Sequence, residues 1–123
     1  MDDGKLGKTY RDGEVIVREG EIGDRMYIIQ SGRVRVTRNA EGEEIHLAEL
    51  KEGDFFGELA IIEAEVRSAT VRAFGDATLL SIDKKNFLRR VHEDPSLAYL
   101  VLQRLSQRIR QLTDELAELR ARQ

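Results

Sequence analysis

Between residues 10 and 82 short apolar segments alternate with glycine-led turns. Gly13, Gly20, Gly23, Gly32, Gly42, Gly53 and Gly75 separate segments at 15–17, 26–30, 33–37, 45–50, 69–73 and 77–82. Brief apolar runs bounded by turn-forming residues predict strands. In Arg33-Val34-Arg35-Val36 the alternation is strict, so Val34 and Val36 are expected to face a core and the two arginines water. Several such strands in a short chain predict a small barrel or jelly roll. Met26 and Tyr27 are expected to pack its core.

After Ile82 the texture changes. Asp83 can N-cap a helix entered through Asn86 and Phe87, and Asp94 stands directly before Pro95, a favoured first helical residue. Two helices are therefore predicted. In the second, Leu102, Leu105, Ile109, Leu112, Leu116 and Leu119 are spaced 3, 4, 3, 4 and 3, the a and d rhythm of a heptad. A two-in-seven stripe is narrower than the face a helix normally turns to a globular core. The expected use is a coiled-coil seam in a homodimer, with Glu115 and Arg120 at g and e positions able to pair across it. The alternative is that the stripe packs on its own barrel.

The chain has 123 residues, enough for one domain, with a barrel at about 10–82 and helices at about 83–123. Lys and Arg number 20 against 23 Asp and Glu, a net charge of −3, which argues against electrostatically driven contact with nucleic acid or a membrane surface. The longest apolar run, 97–102, is far short of the roughly 18 residues a membrane helix needs. The absence of Cys excludes disulfides, thiolate metal sites and a cysteine nucleophile together. His46 and His92 stand alone, so no metal site is expected. Met1-Asp2-Asp3-Gly4 has no apolar signal region, so a cytoplasmic location is expected. Gly7-Lys8-Thr9 imitates the end of a phosphate-binding loop, but Asp2 stands where its first glycine belongs.

The chemistry-bearing stretch is Gly53-Asp54-Phe55-Phe56-Gly57-Glu58-Leu59-Ala60, followed after six residues by Arg67-Ser68-Ala69-Thr70. A glycine that admits close backbone approach, then a short helix start over 58–62, would aim amide N–H groups at an anion. Arg67 could clamp that anion through two parallel hydrogen bonds. Glu58 would repel a phosphate unless it accepted a hydrogen bond from a neighbouring hydroxyl, and a ribose 2′-OH supplies one. The implied ligand is a nucleotide held by its sugar and phosphate. The plainer reading of Glu58 and Arg67 is an ion pair stapling a loop to the barrel.

This stretch resembles the phosphate-binding cassette of the cyclic-nucleotide-binding domain family. Upstream, Tyr10-x-x-Gly13-x-x-Ile16-x-x-x-Gly20 and Tyr27-x-Ile29-x-x-Gly32 are similar to that family's first strands and turns, so the resemblance covers about residues 10–120. It implies a mainly β fold with C-terminal helices: a double-stranded β-helix, or jelly roll, of eight strands, then a short helix and a long coiled-coil-like one. It makes Glu58 the ribose acceptor and Arg67 the partner of the phosphate, with Gly57, Leu59, Ala60, Ser68 and Ala69 around the phosphate and ribose. Val36, Leu47 and Thr70 would line the base pocket, and Arg108, Leu112 and Thr113 of the last helix would lie over the base. Two departures are the short or absent helix before Tyr10 and the lack of a helix-turn-helix after Gln123.

These readings combine into a non-enzymatic sensor. It is expected to bind a cyclic purine nucleotide, cAMP in preference to cGMP, to use no cofactor or catalytic residue, and to relay binding through a homodimeric C-terminal helix. Ser68 carries the base preference, since the resemblance associates Thr at that place with cGMP selectivity. The alternatives are the sensory half of a catabolite-activator-type transcription regulator, and a dimerisation module indifferent to nucleotide.

Overall fold

The computed structural model describes residues 7–63 and 65–123. Its elements run β1 (Lys8–Tyr10), β2 (Val15–Val17), β3 (Ile22–Gly23), β4 (Arg25–Ser31), β5 (Arg33–Ala40), β6 (Glu43–Lys51), β7 (Phe55–Phe56), α1 (Leu59–Ile62), β8 (Glu65–Val66), β9 (Thr70–Ala73), β10 (Ala77–Asp83), α2 (Lys84–Glu93) and α3 (Ser96–Ala121). The chain divides into two compact units, Met1–Phe87 and Leu88–Gln123.

The first unit holds all the strands. They form two four-stranded antiparallel sheets, ordered β1-β10-β4-β7 and β2-β9-β5-β6, and a two-stranded ribbon of β3 and β8. Both sheets contribute to one core. Tyr10, Ile29, Phe56, Ala77 and Leu79 come from the first, and Val17, Val34, Val71 and Ala73 from the second. Tyr27 and Val36 pack at its edge. Met26 lies beside Tyr27 in β4 yet is only 1% exposed, so both faces of that strand are covered. The longer strands fall where periodicity puts them. β1, β3, β7 and β8 are too short to show a period, and the sequence reading passes over them.

Two positions depart from the simple alternation. Arg35 stands only partly in water. It is half-buried, with its guanidinium 3.9 Å from the Phe74 ring centroid and Nη2 donating to Glu49 at 3.2 Å. The cause is tertiary, because β9 pairs with β5 and delivers Phe74 to Arg35's side of the sheet. Leu47 falls at a bulge in β6: Val36 pairs with Ala48 and Thr37 with His46, so Leu47 has no partner residue in β5 and is exposed. At Gly32 (φ 85°) a Cβ would run into the Asp76 carbonyl oxygen and stand 2.8 Å from Ala77 Cα, which explains a glycine between β4 and β5.

The helices start as their caps predict. Asn86 N donates to Asp83 Oδ1 at 2.8 Å ahead of α2. Asp94 Oδ1 accepts from Ser96 N at 3.1 Å and from Ser96 Oγ at 2.6 Å at the entry to α3. These two bonds hold the Asp94 carboxyl below the usual aspartate pKa. Along α3, Leu102, Ile109, Leu112, Leu116 and Leu119 are exposed and Leu105 is half-buried. Among the described residues no helix is long and apolar enough to cross a membrane. Lys8 and Thr9 lie in β1, paired with Leu79 and Thr78, and not in a phosphate-binding loop; Asp2 is outside the described residues.

Candidate functional site

The site begins where β7 ends. Phe55 and Phe56 are buried and pair with Ile28 and Tyr27, which pins the chain just before Gly57. Gly57 then turns with φ 83°, a region that costs any residue with a Cβ, and Glu58 enters α1 with ordinary helical angles (φ −62°). Ala60 and Ile61 anchor this single turn in the interior, while Leu59 and Ile62 face outward. Glu58 is only 3% exposed. Its carboxylate oxygen Oε1 is buried, and the residue interacts with its surroundings. A hydroxyl is a neutral donor from which a buried carboxyl can accept.

Arg67 is held by both its backbone and its side chain. Its N–H donates to the Glu21 carbonyl at 2.7 Å and its carbonyl accepts from Gly20 N at 2.9 Å, extending the β3–β8 pairing by one step. The guanidinium reaches back across the ribbon. Nη2 donates to the Arg25 carbonyl at 2.9 Å, and the group lies 6.0 Å from the Tyr27 ring centroid. Tyr27 in turn stacks on Phe56 with centroids 5.1 Å apart. Burial raises the Tyr27 pKa, with Arg67 and Arg25 pulling it back. A Cβ on Gly57 would stand 2.7 Å from Arg67 Nη1, so the arginine lies against the turn that carries Glu58.

The structure thus brings Gly57, Glu58, Leu59, Ala60 and Arg67 to one place. Ser68, exposed, and Ala69, half-buried, follow Arg67 directly. The Thr70 hydroxyl accepts from Glu19 N at 3.0 Å. Val36 packs at the core edge and Leu47 is exposed at its bulge. Arg108, Leu112 and Thr113 belong to α3 in the second unit. Sequence reasoning missed Arg25 as a contact of Arg67, and took Gly23 for a turn residue when it sits in β3 without a positive φ. A cavity of about 480 Å³ lined by Lys8, Tyr10, Arg25, Tyr27, Leu79 and Ser81 shares Arg25 and Tyr27 with this arrangement. Among the described residues no group of three or more His, Asp or Glu is placed to hold a metal ion.

The family profile of the cyclic nucleotide-binding domain matches residues 7–94. The chain belongs to this family. Its match to the cAMP-dependent protein kinase regulatory subunit of Blastocladiella emersonii is 42% identical over 82 residues, 66% of this chain and 20% of that protein. The crystal structure of Thermus thermophilus catabolite activator protein superimposes with a TM-score of 0.85 at 30% identity, covering 94% of this chain and 56% of the other. The regulatory domain of Toxoplasma gondii PKA, crystallised with cAMP, gives 0.68 at 33% identity over 81% of this chain and 38% of the other. This cyclic nucleotide-binding domain therefore spans about a fifth of the length of the kinase relative. The mostly β architecture with antiparallel sheets and C-terminal helix is that of the catabolite activator structure.

Proposed function

We propose that the chain is a non-enzymatic sensor that binds a cyclic purine nucleotide, cAMP in preference to cGMP, and relays binding through its C-terminal helix as a homodimer. The observation that carries this reading is the convergence of Glu58, 3% exposed, and the Arg67 guanidinium at the single turn begun by Gly57. A carboxyl suited to a sugar hydroxyl and a cation suited to a phosphate meet at the same turn, as a ribose phosphate requires. In this scheme Ser68, Ala69 and the Gly57–Ala60 turn surround the phosphate and ribose, Val36, Leu47 and Thr70 approach the base, and Arg108, Leu112 and Thr113 cover it. The name of the kinase relative favours cAMP. Strands and helices act together as one cyclic nucleotide-binding domain, its strands wound as a jelly roll, and α3 pairs with a second copy through the exposed heptad stripe.

A second reading makes this chain the sensory half of a transcription regulator. It is favoured by the catabolite activator structure, of which the chain covers 56%. Both readings require nucleotide binding. Calorimetry and thermal melting with cAMP, cGMP and 5′-AMP test it: both cyclic nucleotides should bind and raise the melting temperature by mass action, cAMP most, and the linear nucleotide less. Neither heat nor a melting shift at millimolar cyclic nucleotide would overturn the sensor and leave a module that only dimerises.

A further inference from the structure

We infer that Gly23 is a positioning residue for Arg67: it leaves open one side of a slot that holds the guanidinium where a phosphate is to arrive. The inference rests on the proposed role of Arg67 in nucleotide binding and adds a residue to that site. Gly23 has no positive φ, so its backbone would suit any L-residue, and turn geometry does not account for a glycine there. Space does. A Cβ on Gly23 would overlap Arg67 Nε and Cζ and stand 2.5 Å from Nη2. On the other side a Cβ on Gly57 would stand 2.7 Å from Nη1.

The guanidinium therefore lies between two glycines. The pairing of β3 with β8 explains why: Gly23 pairs with Glu65, two residues before Arg67, and diagonal neighbours of an antiparallel pair share a face. The Arg25 carbonyl at 2.9 Å and the Tyr27 ring complete the enclosure. A long, flexible side chain is thereby restricted before ligand arrives, and such pre-organisation lowers the entropy cost of clamping an anion.

The three atoms nearest a methyl at Gly23 all belong to the far end of a flexible side chain, so the fold should accommodate it while the guanidinium moves by about 1.5 Å to regain van der Waals distance. Gly57 is a poorer probe, because its positive φ would add backbone strain.

The test is calorimetric titration of the full chain with cAMP, using Gly23→Ala, Gly23→Val, Arg67→Lys and the double variant Gly23→Ala/Arg67→Lys. Gly23→Ala should bind cAMP about tenfold more weakly and Gly23→Val more weakly still, since a displacement of about 1 Å in a positioned group can cost up to about a hundredfold. The melting temperature without nucleotide should be unchanged or slightly raised for Gly23→Ala. With Arg67→Lys the planar group is gone, and Gly23→Ala should then cost almost nothing further, a non-additivity that a merely structural glycine would not produce. Wild-type binding with equal affinity for Gly23→Ala, or a penalty undiminished beside Arg67→Lys, overturns the positioning role alone. No binding by the wild type overturns the nucleotide reading as well.

Discussion

Arg67 and Glu58 carry opposite charges and are expected to matter unequally. Removing the arginine leaves a desolvated phosphate without its partner, so Arg67→Ala should weaken cyclic nucleotide binding by about 2 to 5 kcal/mol. In the proposed site the carboxylate of Glu58 would hold only a neutral hydroxyl, and its loss would relieve repulsion toward the phosphate. Glu58→Ala should cost less, with about 1.5 to 3 kcal/mol as the ceiling for a hydrogen bond to a charged group. Titration calorimetry on both variants checks the order. Equal affinity in wild type and Arg67→Ala would place the phosphate elsewhere. The role proposed for each residue follows from its type and its spacing to Gly57. How firmly Arg67 is held does not, because its contacts come from Gly23, Arg25 and Tyr27, each at least forty positions upstream.

At the scale of elements, the long strands and the helices follow from local pattern, and the short elements from pairing. β5 and β6 run eight and nine residues, long enough for alternation to show. The two residues of β3 and the two of β8 exist as strands only because they bond to each other. The heptad stripe of α3 is also local, and its exposed Leu102, Ile109, Leu112, Leu116 and Leu119 give it an apolar surface suited to a second copy of the helix. Replacing Ile109 and Leu112 with Glu would place charges in that seam. Light scattering should then report a monomer where the wild type is expected to report a dimer, with nucleotide binding retained at reduced affinity. A wild-type monomer at micromolar concentrations would remove the seam from the account.

For the molecule as a whole, the question is whether nucleotide binding in the first unit reaches α3 in the second. A ligand shifts such an equilibrium only by its differential affinity for the two arrangements, typically about 1 to 3 kcal/mol of coupling. Hydrogen exchange across 102–119 should slow on saturation with cAMP, without dissociation of the dimer. Unchanged exchange there would confine the effect of the ligand to the strands and α1.

The sequence alone determined the strand rhythm, the caps at Asp83 and Asp94, the heptad, and the Gly57-Glu58 to Arg67 spacing. Each depends on neighbours within about ten residues, whose chemistry is visible in a linear string. Tertiary structure decided the rest. It brought Phe74 over Arg35, left Leu47 in a bulge, and turned Gly23 from apparent punctuation into one wall of the arginine's slot. In each case the deciding atom lies on another strand, and only the pairing of the strands says which atom that is.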